Sequence, residues 1–178
     1  MDLKRFIRNI PDFPNPEIMF RDVSTLLQNP AARRQVIKDF VAAWEGHVDV
    51  IVGLESRGFI FGSILADRLD LPFVMIRKKG KLPGEVISQA YGLEYGSDIF
   101  EIQVDAFAPG ARVLIVDDLL ATGGSAAAAA ALIKKARGTV AGCAFVIELR
   151  ELNGAANLPG LSIQTLAVYK KEDALTAA

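Results

Sequence analysis

Val113-Leu114-Ile115-Val116-Asp117-Asp118-Leu119-Leu120-Ala121-Thr122-Gly123-Gly124-Ser125 sets an apolar run, two carboxylates, a small polar turn and a helix start in immediate succession. Strand character is strong from Arg112 to Val116, and the run leads straight into the two aspartates. Beyond Ser125, six alanines, Ala126 to Ala131, and then Leu132-Ile133-Lys134-Lys135 predict a helix of high intrinsic propensity that Gly138 ends. In an open parallel sheet, ligands collect where such loops leave the carboxyl ends of the strands. Gly123 and Gly124 let main-chain N–H groups approach an anion closely, Thr122 and Ser125 add hydroxyls, and the helix dipole favours a phosphate. Asp117 and Asp118 suit another partner: they accept hydrogen bonds from hydroxyls, or hold a divalent cation through oxygen or water. A phosphate with a vicinal diol beside it, as in ribose 5-phosphate, satisfies both halves of the loop.

Outward from this stretch the same alternation recurs. Asn29 to Gly46 reads as an amphipathic helix, with Asn29 as cap, Pro30 at the first position and Val36, Phe40 and Trp44 on one stripe. Val48 to Leu54 is a β-rich run, followed by the polar loop Glu55-Ser56-Arg57-Gly58 and a helix from Phe59 to Leu69 that Ser56 could cap. Phe73 to Ile76 is a strand ending in the basic cluster Arg77-Lys78-Lys79-Gly80-Lys81. Leu82 to Gly96 has turn residues and no clear period, which reads as a long mobile loop or a loose hairpin. Ile99 to Val104, Val140 to Leu149 and Leu161 to Tyr169 are further strands. The expected fold is α/β, a mostly parallel open sheet flanked by helices, in one domain over residues 1–178. About the first 30 residues form an N-terminal flap or hood on that core.

Composition narrows the function. Twenty basic residues against 21 acidic ones leave a net charge of −1, which argues against a dedicated nucleic-acid or anionic-membrane binder. With 51% hydrophobic and 23% charged residues the chain can bury a sizeable core. One cysteine, Cys143, and one histidine, His47, exclude an internal disulfide and a Cys- or His-based metal cage. The charged N-terminus and the absence of an apolar run near the ~18 residues of a membrane span point to a soluble, cytoplasmic protein. No nucleotide-triphosphate loop is present: the spacing Gly53 to Gly58 is followed by Phe59 where lysine is needed.

The hydrophobic strand, two acidic residues and Thr-Gly-Gly-Ser together resemble the phosphoribosyl pyrophosphate signature of the type I phosphoribosyltransferases. Further segments bring the resemblance to the adenine branch of that family. They are Pro11-Asp12-Phe13-Pro14 with Phe20-Arg21-Asp22, Glu55-Ser56-Arg57-Gly58-Phe59, Arg77 to Gly84, and Leu93-Glu94-Tyr95-Gly96. The resemblance implies that adenine N9 is joined to C1 of phosphoribosyl pyrophosphate, giving AMP and pyrophosphate. It implies Mg2+ carried mainly by the pyrophosphate and water, with no direct protein ligand, small-molecule substrates only, and a homodimer.

By the same resemblance, Asp117, Asp118, Ala121, Thr122, Gly123, Gly124 and Ser125 bind the ribose and its phosphate. Ser56, Arg57, Arg77, Lys78 and Lys81 bind pyrophosphate, and Arg57 also serves catalysis. Glu94 is the acid or base acting on the purine, with Tyr91 and Tyr95 on its loop. Main-chain groups of Met19 and Arg21 read adenine while Phe20 stacks on it, a scheme that would leave a 6-oxo purine with buried groups unpaired. Another purine base, or a non-catalytic regulatory protein that only senses phosphoribosyl pyrophosphate, remain the alternatives. Cys143 reads as an inert buried thiol, and residues 154–160 and the tail from Glu172 match nothing.

Overall fold

In chain order the elements of the computed structural model are β1 (Arg8–Ile10), β2 (Phe20–Asp22), α1 (Ser24–Gln28), α2 (Pro30–Trp44), β3 (Val50–Leu54), α3 (Gly58–Leu69) and β4 (Phe73–Lys78), then β5 (Val86–Gly92), β6 (Ser97–Gln103), β7 (Arg112–Leu120), α4 (Gly124–Lys135), β8 (Thr139–Leu149) and β9 (Ser162–Tyr169). The structure describes residues 1–92 and 97–170. Seven strands form one sheet in the order β5-β6-β4-β3-β7-β8-β9, and β1 pairs with β2 in a separate antiparallel ribbon. From β4 to β9 neighbouring strands run parallel, while β6 and β5 return antiparallel as a hairpin.

Alternation along the central strand decides the layering. In β7, Leu114 and Val116 join a cluster with Phe40 and Trp44 of α2 and Phe61 and Leu65 of α3. Val113 and Ile115 turn to the other face and pack with Ala126, Ala129 and Ile133 of α4. A strand buried on both faces belongs in the middle of a parallel sheet, and β7 lies between β3 and β8. The alanines of α4 let that helix lie close to the sheet and beneath the hairpin, where Lys135 Nζ donates to the Ser88 carbonyl at 3.1 Å. Cys143 is fully buried in this second layer, and burial pushes its thiol up to about 12, so it stays protonated.

Several boundaries differ from the sequence expectation for local reasons. Asn29 does cap α2, accepting from the N–H groups of Ala31 and Ala32, and the helix ends at Trp44 just before Gly46, which holds φ +75°. The indole ring is held beneath Gly142, where any Cβ would overlap it, and its Nε1 donates to Gln164 Oε1 at 2.7 Å. Ser56 does not cap α3: the helix starts at Gly58, Arg57 occupies the cap position, and no side chain caps the first turn. Residues 82–96 include β5, so the hairpin alternative holds where the chain is described. β7 runs on to Leu120, which puts Asp117 and Asp118 inside the strand.

An ion pair ties the two strands of the hood to each other. Arg8 donates to Asp22 Oδ2 at 2.6 Å, and Asp22 Oδ1 accepts from the Ser24 N–H at 2.9 Å. Hydrogen bonds from Ser24, with Arg8 adding to them, lower the Asp22 carboxyl from its ordinary 3.8 to about 2. A carboxylate with a depressed folded-state pKa contributes stability that is complete above its ordinary pKa and is lost as pH falls through the folded value. The melting temperature of wild-type protein should therefore exceed that of Asp22→Asn near neutrality. The gap should close as pH drops from about 4 toward about 2; a gap constant over that window would rule the pair out as a contributor.

Candidate active site

β3 and β7 are parallel neighbours whose following helices go to opposite faces, α3 to one and α4 to the other. Such a divergence opens a crevice at the carboxyl ends of the strands. Here it is a cleft of about 480 Å3 lined by Glu55, Ser56 and Arg57 after β3, Lys78 at the end of β4, Tyr91 and Phe100 of the hairpin, residues 117–126 and Phe145. Thus Asp117, Asp118, Ala121, Thr122, Gly123, Gly124 and Ser125 all face one space, together with Ser56 and Arg57.

Two glycines make the approach of the loops feasible. Gly58 begins α3 against β7: a Cβ there would stand 2.6 Å from the Val116 carbonyl and 3.0 Å from Asp117 Oδ1. Gly123 holds φ +80°, a left-handed conformation that a side chain disfavours, and a Cβ on it would overlap the Gly154 carbonyl. That bend turns the chain from β7 into α4, whose first N–H groups open toward the cleft end of the helix.

Charge in the cleft is arranged in pairs. Asp118 is 3% exposed and its Oδ2 accepts from Arg57 Nε. Asp117 accepts from the N–H of Asp118 at 2.9 Å. Burial first, and then the charge of Asp118, raise the Asp117 carboxyl well above the usual range, with Arg57 opposing. Burial works against the charge of Arg57, but Asp118, Asp117 and Asp22 outweigh it and raise its pKa. The loop thus holds one ion pair beside a second buried carboxyl, oxygens able to accept hydrogen bonds from a diol.

The basic cluster is organised by Glu55. Its carboxylate accepts from Arg77 at 3.1 Å and from the Lys78 N–H at 2.8 Å. Burial opposes this, yet the Lys78 amide and the Arg77 guanidinium hold Glu55 below its ordinary pKa. Lys78 lines the cleft and pairs with Asp98 at 2.9 Å. Arg77 turns toward Glu55 and the Lys81 carbonyl, and neither Arg77 nor the exposed Lys81 lines the cleft. Tyr91 stacks on Phe100 with centroids 4.6 Å apart, its hydroxyl 3.3 Å from Asp98. Glu94 and Tyr95 lie outside the described residues; the paired strand ends Gly92 and Ser97 flank them.

The hood reaches this site through Phe20, whose ring lies 5.7 Å from the Arg57 guanidinium and edge-on to Phe13 at 5.1 Å. Met19 is half-buried beside it. The Arg21 side chain points elsewhere, over the Tyr169 ring at 4.1 Å and onto Asn9. Residues 19–21 do not line the cleft itself. Sequence reading missed the organising role of Glu55, although it quoted the residue, and missed Asp98, Phe100 and Phe145. It also dismissed residues 154–160, yet Asn157 Nδ2 donates to the Thr122 carbonyl at 2.7 Å. No local pattern marks that residue, because a 35-residue detour through α4 and β8 separates the partners.

Among the described residues no helix is long and apolar enough to cross a membrane, and no group of three or more His, Cys, Asp or Glu could hold a metal ion. Residues 22–157 match the phosphoribosyl transferase domain. The sequence is 55% identical over 172 residues to an adenine phosphoribosyltransferase of Gloeobacter violaceus, across 95% of this chain and 100% of that one. In structure the chain is similar to adenine phosphoribosyltransferase from Thermoanaerobacter pseudethanolicus, with a TM-score of 0.91, 45% identity, and coverage of 94% and 98%. It is also similar to the Saccharomyces cerevisiae enzyme complexed with D-2,5-dideoxy-2,5-imino-altritol 1,6-bisphosphate and adenine, with a TM-score of 0.88, 44% identity, and coverage of 92% and 96%.

Proposed function

The chain belongs to the phosphoribosyltransferase family, in its adenine branch, and from that premise we propose how its residues divide the work. The protein transfers the 5-phosphoribosyl group of phosphoribosyl pyrophosphate to adenine, the purine-salvage route to AMP. The C1–O bond to pyrophosphate breaks with its electron pair leaving on the pyrophosphate, the C1–N9 bond forms, and the N9 proton departs. Positive charge develops on the ribose as the bond breaks, so the protein's tasks are to stabilise the leaving group, hold the sugar and accept the proton.

We assign the 5′-phosphate to the bend at Thr122, Gly123, Gly124 and Ser125, and the ribose diol to Asp117 and Asp118. Arg57 and Ser56 receive the pyrophosphate, with Lys78 beside them. Arg77 acts there through Glu55, and Lys81 contributes its charge from the loop that Arg77 holds. Phe20 stacks on adenine from the hood while main-chain groups of Met19 and Arg21 read its edge. Glu94 takes the N9 proton, with Tyr91 and Tyr95 on the same hairpin.

The donor set suits magnesium that keeps phosphate and water ligands, since two adjacent carboxylates line the cleft and one is already paired with Arg57. When bound, such an ion neutralises the pyrophosphate charge that builds up as it leaves. A homodimer and a cytoplasmic location belong to the same proposal on the strength of family membership.

The observation that carries this division is the meeting, in one cleft, of the glycine bend, the twin aspartates and Arg57. Incubation of the protein with magnesium, phosphoribosyl pyrophosphate and adenine, hypoxanthine, guanine or xanthine in turn should yield a nucleotide from adenine alone. A nucleotide formed from a 6-oxo purine in preference to AMP, or from no base, would overturn it.

A further inference from the structure

We infer that Asn157 is a positioning residue for phosphoribosyl pyrophosphate: by holding the Thr122 carbonyl it aims the Gly123 N–H into the phosphate cradle. The inference rests on the assignment of residues 122–125 to the 5′-phosphate made above. Asn157 closes the short 3-10 turn Gly154–Asn157 in the connection from β8 to β9. Leu158, 3% exposed, anchors the end of that turn in the core layer beneath α4.

The turn lies directly against the phosphate bend. A Cβ on Gly154 would overlap the Ala121 carbonyl and stand 3.0 Å from the Gly123 nitrogen, and a Cβ on Gly123 would overlap the Gly154 carbonyl. From this platform Asn157 Nδ2 donates to the Thr122 oxygen at 2.7 Å. Among the described residues, cis peptides occur only at Phe13-Pro14 and Glu55-Ser56, so the Thr122–Gly123 peptide is trans. In a planar trans peptide the C=O and the N–H point in opposite directions. Anchoring the oxygen on the side of the turn therefore sends the Gly123 hydrogen to the other side.

The same bond excludes the harmful alternative. Were the peptide to rotate, the Thr122 carbonyl would present its negative end to an anion while the N–H was withdrawn. Gly123 offers little resistance to such rotation, because glycine populates positive and negative φ about equally. An exposed side chain such as Asn157 adds little to the core, so its contribution falls on the orientation of the loop.

AMP titrated into wild-type, N157A and N157D protein tests this. In N157A the Kd for AMP and the KM for phosphoribosyl pyrophosphate should both rise about tenfold, the effect of one lost charge-oriented hydrogen bond. The KM for adenine should stay within twofold, since the base does not touch this bend. N157D keeps the shape, loses the donor and sets a carboxylate against the carbonyl, so its affinity for AMP should fall below that of N157A. Nuclear magnetic resonance supplies a readout independent of stability: AMP should shift the Gly123 amide proton strongly in wild-type protein and little in N157A at saturation. Wild-type affinity and an unchanged Gly123 shift in N157A would overturn the role of Asn157. A wild-type protein that binds AMP without moving the Gly123 resonance would instead overturn the phosphate reading of the bend.

Discussion

Gly123→Ala is expected to lower kcat/KM for phosphoribosyl pyrophosphate by about a thousandfold, a loss of ~4 kcal/mol of transition-state binding, while the protein still folds. Two independent costs fall on the same residue. The backbone holds φ +80°, which penalises an L side chain by ~1–2 kcal/mol. The added methyl would also overlap the Gly154 carbonyl, main-chain atoms that cannot rotate away. The bend relieves both only by moving off the 3-10 turn, which withdraws the amides of residues 123–125 from the phosphate together. Folding should survive because β7 and α4 keep their buried residues on either side. Steady-state kinetics and a circular dichroism melt decide it: activity within tenfold of wild type would mean that the bend does not bind phosphate.

Glu94→Gln should reduce kcat by about a hundred- to ten-thousandfold, the usual worth of a positioned carboxylate in proton transfer, with the KM for phosphoribosyl pyrophosphate changed less than threefold. The other carboxylates lining the described cleft are committed. Glu55 is held by Arg77 and Lys78, Asp118 by Arg57, and Asp117 by the N–H of Asp118. A base for N9 has to come from elsewhere, and Glu94 is the carboxylate proposed for it, two residues along the chain from the end of β5 at Gly92. Glutamine keeps the size and polarity but cannot take the proton. Equal losses in kcat and in substrate affinity would make Glu94 a binding group, and an unchanged kcat would remove it from the mechanism.

Legibility in the sequence followed the distance over which each feature is written. The phosphate bend, its strand and its helix occupy consecutive residues, so propensity and loop chemistry reveal them together. The stripe of Val36, Phe40 and Trp44 marked the face of α2 that enters the core. Both ends of α2 are written locally: Asn29 caps the start, and the helix ends at Trp44, two residues before Gly46, which holds φ +75°. By contrast, Arg77, Lys78 and Lys81 belong to a basic run that reads as one phosphate-binding unit, yet of the three only Lys78 lines the cleft, while Glu55 and the Lys81 carbonyl claim Arg77.

From its sequence alone this chain determined an α/β fold, the glycine bend between β7 and α4 and the aspartates beside it, since short-range backbone preferences and side-chain chemistry act within a few residues. Tertiary structure decided which distant groups complete the site. Arg57 meets Asp118 across 61 residues, Glu55 meets Arg77 across 22, and Asn157 meets Thr122 across 35. Each meeting depends on strand order, with β3 between β4 and β7 and the β8–β9 connection folded back over the bend. Strand order follows from burying both faces of the sheet at once, a condition that no local stretch of residues can satisfy.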